Sequence, residues 1–491
     1  MYLGIDLGTS SLKVLLADEK GVIIDSARAE YPVYYPQNGW SEQNPEDWYG
    51  ALIAVVRELG SRRDIKRVRA LSFSGQMHGL VALGSNDKVI RPAILWNDGR
   101  SAEECKYLNE TVGREKMLGW TGNLAFTGFT APKVLWLKKR EPENYKRIAK
   151  LMVPKDYLIY RISGAFASDV SDNSGTLYFD VRRKKWSAEM LGILGIKETR
   201  LPKSFESCAV VGTVGAGFAA ATGINPKAKV VAGGGDQAVG ALGTGTAGGG
   251  ALSISLGTSA VVFASCDAFT PTDGGIHSFC HADGKYHLMA CVLSGAGALD
   301  YWLNNILKTT DFSFDTKNAF TGDANGLYFL PYLAGERSPM NDPFARGAFY
   351  GINLSHTRED LTLAVVEGIS LALRDCFEVI KGTGVSAPFA RVIGGGAKSA
   401  EWLQLLSDCL NLELRTINTG EGGGLGAIIL AAVADGAYPD IPCACKALIS
   451  DDKAYLPDSA RAAAYAEKYG VFKALYGALK TARGETANSA R

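Results

Sequence analysis

The stretch "IDLGTSSLKV" (residues 5–14) decides the fold, because it returns half a chain later as "ISLGTSAVVF" (residues 254–263). Both copies share the frame I-x-L-G-T-S followed by residues typical of strands, which predicts a strand, a Gly-Thr-Ser turn and a second strand. One such hairpin in each half predicts a duplicated α/β domain with a cleft between the copies, where turn amides could meet a polyphosphate from both sides.

The two copies differ at one informative position, since Asp6 of the first aligns with Ser255 of the second. An aspartate at a strand end often caps a turn, and this is the alternative to a catalytic or metal-linked role. A carboxylate that only shaped the turn would be expected in both copies. The difference therefore favours a role for Asp6 that is specific to one side of the cleft.

Length and charge limit the classes of protein that the sequence fits. The 491 residues exceed what one hydrophobic core usually supports, and we predict two domains, residues 1–245 and 246–491. Lys and Arg number 52 against 51 Asp and Glu, so the chain lacks the positive field typical of nucleic-acid binders. With no leader-like start and no apolar run of about 20 residues, we predict a cytoplasmic protein with a small-molecule substrate and no membrane partner.

Cysteine and glycine patterns narrow the chemistry further. The nine cysteines are scattered, which predicts reduced thiols, and "HSFCH" (residues 277–281) lacks the second half of a zinc pattern. The GxGxxG match at 243–248 precedes a β-like segment rather than a helix, so a Rossmann site is not expected, and no P-loop occurs. Glycine turns that suit phosphate lie instead at residues 233–236, 394–397 and 420–427.

Helix signals fit two α/β halves. "NPEDWYGALIAVVRELG" predicts a helix capped by Asn44, and its counterpart is "TREDLTLAVVEGISLALRDCFEVI". A further helix is expected after "GGGAKSAEW", where the glycine turn would present its amides at the helix start.

The motifs together resemble those of the FGGY family of carbohydrate kinases, from one end of the chain to the other. The resemblance is carried in order by "GIDLGTSSLKV", "SGQMHGLV", "GFTAPKVLWL", "GGGDQAVGA", "SLGTSAVVF", "LPYLAGERSP" and "GGGAKSAEW". It implies two ribonuclease-H-like (actin-like ATPase) domains with ATP bound in the interdomain cleft. It also implies magnesium-assisted transfer of the γ-phosphoryl group to a sugar hydroxyl. Within the family, the motifs are similar to those of kinases of the ketopentose D-xylulose.

The resemblance also implies roles for individual residues. Asp236 matches the family's catalytic base, and Asp6 matches an aspartate that holds magnesium, expected to act through water. Sugar contacts fall on Met77 and His78, where glycerol kinases carry an arginine-glutamate pair, and on Gln237. The predicted nucleotide contacts are Gly8, Thr9, Ser10, Lys13, Gly257, Thr258, Ser259, Gly395, Gly396 and Ala397, and weaker site candidates are Trp40, Asn97, Asp98 and Arg100.

Three functions of different classes stay open at this stage. The first is the sugar kinase, for D-xylulose or for another ketose or polyol of the ribulose type. The second is an actin-like ATPase that binds a partner protein, which the first hairpin alone would permit. The third is an inactive sugar sensor, although both Asp6 and Asp236 are present. The oligomeric state is also open, with a homodimer as one option.

Overall fold

The computed structural model describes residues 1–483, so the end of the predicted second domain lies outside the described residues. In that part of the chain, none of the helices combines the length and the apolar character needed to cross a membrane.

The strands of the first half are β1 (Tyr2–Leu7), β2 (Ser11–Ala17), β3 (Ile23–Glu30), β4 (Glu42–Gln43), β5 (Ala70–Gly75), β6 (Val81–Leu83), β7 (Ala93–Ile94), β8 (Lys150–Met152), β9 (Ala167–Asp169), β10 (Phe179–Asp180), β11 (Lys185–Trp186), β12 (Lys203–Phe205), β13 (Val210–Thr213), β14 (Lys229–Val231) and β15 (Gly234–Gly235).

The helices of the first half lie between these strands and end at the boundary with the second half. They are α1 (Pro45–Arg62), α2 (Ala102–Lys106), α3 (Arg114–Thr121), α4 (Thr130–Arg140), α5 (Pro142–Arg147), α6 (Pro154–Ser163), α7 (Val170–Ser174), α8 (Ala188–Leu194), α9 (Ala216–Thr222) and α10 (Asp236–Gly243).

The second half repeats the alternation of strands and helices. Its strands are β16 (Leu252–Leu256), β17 (Ala260–Cys266), β18 (His277–Cys280), β19 (Tyr286–Val292), β20 (Tyr328–Leu330), β21 (Ala348–Tyr350), β22 (Phe389–Ile393), β23 (Glu413–Ile417) and β24 (Asp451–Tyr455). Its helices are α11 (Ala296–Asp300), α12 (Phe312–Ala319), α13 (Arg358–Gly382), α14 (Ala400–Leu410), α15 (Gly422–Ala434), α16 (Ile441–Leu448) and α17 (Ser459–Ala482).

Each half contains one seven-stranded mixed sheet with a hairpin near its centre. In the first sheet the order is β13-β14-β5-β1-β2-β3, with β15 beside β5, and in the second it is β18-β19-β17-β16-β22-β23-β24. The hairpins β1–β2 and β16–β17 are antiparallel, while β1 and β16 each have a parallel neighbour on the other side. The duplicated α/β organisation predicted from the repeat is therefore confirmed, with the turns at residues 8–10 and 257–259.

The predictions for helices α1 and α13 are confirmed, as is the Asn44 cap. Helix α1 begins after Asn44, whose side chain accepts a hydrogen bond from the backbone of Glu46 at 3.2 Å. Helix α13 begins after Thr357, which forms a reciprocal capping box with Asp360. Helix α14 does not begin directly at the glycine turn, residues 394–397, as predicted. Residues 396–398 form a separate 3₁₀ turn, and the helix begins after its cap, Ser399.

The glycine-rich segment at residues 420–427 is the start of helix α15, and it packs closely against α10. A Cβ atom on Gly426 would lie 1.9 Å from the carbonyl oxygen of Val239. A Cβ atom on Gly243 would lie 1.9 Å from the carbonyl oxygen of Gly422. Since real Cβ atoms do not approach a backbone oxygen so closely, the crossing of the two helices requires glycine at both positions.

We expect Gly426→Ala to destabilise the protein, because the new methyl group must displace the backbone of α10. Overpacking of this kind costs about 1–3 kcal/mol of unfolding free energy. The matched control is Gly477→Ala in α17, where nothing lies within 4 Å of the added Cβ atom and alanine should stabilise the helix. Thermal unfolding of the three proteins checks this, and an unchanged midpoint for Gly426→Ala would contradict the close crossing.

Candidate active site

Two aspartates lie at the same edge of the first sheet. Asp6 is near the end of β1, and Asp236 begins α10 directly after Gly235. Gly235 pairs with Gly75 at the end of β5, the strand that runs parallel beside β1. Burial, and then the nearby charge of Asp6, raise the pKa of Asp236 to about 7. The sheet thus brings together the two carboxylates that sequence reasoning placed in the site.

The start of α15 closes over the Asp6 carboxylate. A Cβ atom on Gly423 would lie 2.6 Å from Oδ1 of Asp6 and 2.7 Å from Oγ of Ser74. Burial raises the pKa of Asp6, and the neighbouring Ser74 side chain opposes that rise. The second half of the chain therefore contributes a helix N-terminus to the first aspartate, where its dipole favours negative charge.

Lys13, a predicted phosphate contact, has a protein partner. It lies opposite Asp6 on β2, and its Nζ atom is 2.5 Å from Oε1 of Glu421, the residue before α15. The pair joins the two halves beside the candidate site. Its side chains are about one-third exposed, so solvent weakens the attraction between them.

The first glycine turn is held by side chains from the surrounding loops. Tyr31 donates its hydroxyl to the carbonyl oxygen of Gly8 at 2.5 Å, and Gln43 donates to that of Thr9 at 2.5 Å. The indole of Trp96 donates to the Thr9 hydroxyl at 2.9 Å, a contact that the sequence did not indicate. Ser10, at the tip of the turn, is exposed.

The second glycine turn lies at the mouth of a cavity of about 750 Å³ in the second half. The amides of Gly295 and Gly297 donate to the carbonyl oxygen of Thr258 at 3.0 and 3.1 Å and fix the turn against α11. The cavity volume suits a nucleoside. Its lining includes Gly257, Thr258, Gly395 and Gly396, which the sequence indicated, and Gly297, Phe312, Lys317 and Trp402, which it did not.

Ala397 differs from the other predicted nucleotide residues. Its side chain packs against the core of the second half and does not line that cavity. Ala397 is the middle residue of the 3₁₀ turn at residues 396–398.

A smaller cavity of about 240 Å³ connects the two halves at Asp236. Its walls include Gln237 from α10, Gly423 from α15 and Ser255 from β16. Ser255 is the counterpart of Asp6 in the sequence repeat, so the second hairpin meets the same space as Asp236 with a hydroxyl instead of a carboxylate. A ligand in this space would touch both halves of the chain.

Met77 and His78 follow strand β5 and lie beside the Asp236 segment. The side chain of Met77 packs against Gly235, 2.8 Å from the position of an added Cβ atom. His78 has a left-handed backbone with φ of 69°, and its Nδ1 lies 2.9 Å from the carbonyl oxygen of Gly175. Burial lowers the pKa of His78 well below its ordinary value, so the ring is neutral.

Lys133 holds this turn in place, and sequence reasoning missed it. Its buried amine donates to the carbonyl oxygens of His78 at 2.9 Å and Gly128 at 2.6 Å. Burial lowers the pKa of Lys133 to about 7. The sequence signal that could have indicated this role is a lysine within the apolar run "GFTAPKVLWL". A lysine buried in such a run needs specific hydrogen-bond acceptors.

The weaker site candidates form a buried support beside the sugar segment. Arg100 stacks over Trp40 at 3.7 Å and pairs with Asp98 at 2.7 Å. Asp98 also accepts a hydrogen bond from the Ser41 amide at 2.6 Å. Asn97 is exposed. These contacts give Trp40, Asp98 and Arg100 a role in holding the loop.

Comparison with known proteins identifies relatives over almost the whole chain. Residues 1–243 match the FGGY family of carbohydrate kinases, N-terminal domain, and residues 252–434 match its C-terminal domain. A xylulose kinase from Escherichia coli K12 is 40% identical over 487 residues, which are 97% of this chain and 98% of the relative.

Solved structures give the same result for the architecture. A xyloylose kinase from Brucella ovis matches with a TM-score of 0.93 and 37% identity over 98% of this chain and 99% of its own. A gluconate kinase from Lactobacillus acidophilus matches with a TM-score of 0.94 and 27% identity over 99% of both chains. Proteins whose names carry different sugars thus share this two-domain fold.

We expect Asp6→Asn to lower the pKa of Asp236 below about 7, because the substitution removes the negative charge that opposes its ionisation. The titration of ¹³C-labelled aspartate by NMR, without added ligands, measures this pKa. Asp452→Asn, which removes an exposed carboxylate in β24, is the control and should leave it unchanged. The same Asp236 pKa in Asp6→Asn and the wild type would show that the carboxylates do not interact.

We expect Lys133→Met to destabilise the fold by about 1–3 kcal/mol, because it leaves the buried carbonyl oxygen of Gly128 without this donor and the carbonyl oxygen of His78 with only the Thr130 hydroxyl at 3.1 Å. Lys138→Met is a matched control on the same helix. The Lys138 amine also reaches two carbonyl oxygens, but it is exposed and water can replace it. Denaturant unfolding compares the two variants, and equal losses would contradict a special role for Lys133.

Proposed function

Because the chain belongs to the FGGY family of carbohydrate kinases, we propose that it transfers the γ-phosphoryl group of ATP to D-xylulose, giving D-xylulose 5-phosphate and ADP. The observation that carries the proposal is the Asp6–Asp236 pair beside a cavity shared by both halves. The division at residues 1–245 and 246–491 is part of the proposal, and the gap between the two family matches, residues 1–243 and 252–434, supports its position. The cytoplasmic location and the homodimer stay predictions from the sequence.

In this proposal Asp236 is the catalytic base. The 5-hydroxyl oxygen of the sugar attacks the γ-phosphorus, the bond to the ADP oxygen breaks, and the hydroxyl proton passes to the Asp236 carboxylate. A pKa of about 7 suits this role, since the group is partly ionised at neutral pH and still basic enough to take the proton. Gln237, which shares the cavity, would contact the sugar.

The nucleotide would lie along both glycine turns. The turn of Gly8, Thr9 and Ser10 would face the phosphates from one side, and the turn of Gly257, Thr258 and Ser259 from the other, with turn amides and hydroxyls as donors. The Gly8 amide already donates to the carbonyl oxygen of Ser11 at 3.0 Å. The larger cavity would take the adenosine against Gly395 and Gly396. Lys13 stays a predicted phosphate contact. Its amine would then interact with both the phosphate and the Glu421 carboxylate.

The residues at the site fit a magnesium ion. Asp6 and Asp236 are two neighbouring carboxylates, and the nearby cation Lys13 is already paired with Glu421. Within residues 1–483 no group of three acidic, His or Cys side chains could hold a metal, so the protein would supply few direct ligands and the ion would have to keep most of its water. Asp6 would hold the ion through water. When bound, magnesium supplies positive charge to the phosphates.

Met77 and His78 would contact the sugar beside Asp236. Because Nδ1 of His78 must donate to the Gly175 carbonyl oxygen, the neutral ring carries its lone pair on Nε2. Nε2 would then accept a hydrogen bond from a sugar hydroxyl. Met77 would supply the apolar contact, and it already touches the segment that carries the base.

The release of ADP with a panel of sugars tests the proposed function. We expect D-xylulose to give the highest kcat/KM among D-xylulose, D-ribulose, L-ribulose, xylitol, glycerol and gluconate. A higher kcat/KM with another sugar would retain the proposal of a kinase and contradict D-xylulose as its substrate. Gluconate is included because a gluconate kinase has the same fold. ATP hydrolysis independent of every sugar would instead favour a partner-binding ATPase.

We expect Asp236→Asn to lower kcat for the preferred sugar about 10² to 10⁴-fold, because the amide cannot take up the hydroxyl proton. ATP affinity measured by calorimetry should change little, since the residue faces the acceptor. Asp452→Asn serves again as the control with full activity. If Asp236→Asn kept near-normal turnover, another residue would have to be the base.

A further inference from the structure

Arg337 belongs to the second half of the chain, but its side chain lies against the first half. The guanidinium carbon is 5.9 Å from the centre of the Phe126 ring. One terminal nitrogen lies 3.6 Å from the position of an added Cβ atom on Gly128. Both neighbours belong to the loop just before α4. The residue therefore reaches across the boundary between the halves.

The Arg337 guanidinium has no direct anionic contact within residues 1–483. It forms no ion pair and no side-chain hydrogen bond there, although the residue is only partly exposed. The carboxylate of the adjacent residue, Glu336, feels the charge of Arg337 but forms no direct ion pair with it in the described chain, and its Oε1 atom accepts the amides of Leu293 at 2.9 Å and of Arg337 itself at 2.7 Å. Because a partly buried charge without a partner is unfavourable, a ligand is the natural partner for this one.

The neighbours of Arg337 connect it to the His78 side of the sugar site. The Phe126 ring lies 5.5 Å from that of Phe129, which lies 4.7 Å from the His78 ring. Lys133 holds the carbonyl oxygens of Gly128 and His78 together with one amine. Arg337 therefore lies on the His78 side of the site, whereas Met77 packs against Gly235, the residue before Asp236.

We propose that Arg337 is a specificity-determining residue that binds the ketone end of the sugar, supplied by the second half of the chain. This inference rests on the proposed function. Asp236 must meet the 5-hydroxyl, so the opposite end of a five-carbon ketose carries the C2 carbonyl oxygen and the 1-hydroxyl. Guanidinium N–H groups donate to a carbonyl oxygen, which accepts without needing to donate. The sugar pocket is then complete only when both halves contribute.

The test compares D-xylulose with xylitol, which differs from it only by reduction of the C2 carbonyl. For Arg337→Met, KM for D-xylulose should rise about 10- to 100-fold, the effect of losing a charged hydrogen bond, with kcat much less affected. The inhibition constant of xylitol, measured against D-xylulose, should change far less. The selectivity for the ketose over the polyol should therefore fall by about the same factor as KM rises.

Arg182→Met is the matched control, since Arg182 also places its guanidinium over a phenylalanine ring, that of Phe269 at 4.9 Å, away from the site. It should leave both constants unchanged. If Arg337→Met does not fold, as judged by thermal unfolding, Arg337→Gln provides the same comparison. An unchanged KM, or equal losses for D-xylulose and xylitol, overturns the inference. A wild-type protein inactive on D-xylulose would instead overturn the proposed function.

Discussion

The close crossing of helices α10 and α15 is the constraint on which the site depends. Asp236 opens α10, and the glycines at the start of α15 let that helix lie directly on α10 and on the first hairpin. A Cβ atom on Gly4 would lie 2.1 Å from the carbonyl oxygen of Gly424, so β1 is part of the same contact. Larger side chains at these glycine positions would push the two halves apart. Asp236 would then be separated from the part of the cavity that the second half forms.

This packing places two carboxylates where few cations compensate them. Burial and the charge of Asp6 hold the pKa of Asp236 near 7, far above that of an exposed aspartate. Such an arrangement is unfavourable for the folded protein but useful for chemistry, because a proton acceptor works best near the operating pH. Lys13 and Glu421, which pair across the same seam, leave the aspartates available to a ligand and its cation.

Much of the fold could be predicted because its signals are local. The two I-x-L-G-T-S frames and the Asn44 cap each act on a few neighbouring residues, and the structure has all of them. The roles of Asp6 and Asp236 came from the family resemblance and stay proposals. What the sequence did not indicate depends on distant partners. Examples are the glycines at 420–427 packing as a helix, the Lys13–Glu421 pair and the reach of Arg337 across the halves.

A crystal structure with D-xylulose, magnesium and a non-hydrolysable ATP analogue tests the central claim most directly. We expect the sugar 5-hydroxyl within hydrogen-bond distance of the Asp236 carboxylate, with the β- and γ-phosphates between the turns at residues 8–10 and 257–259. We also expect the ion on the Asp6 side, held through water. A sugar hydroxyl directed away from Asp236, or phosphates bound outside the two turns, would contradict the account.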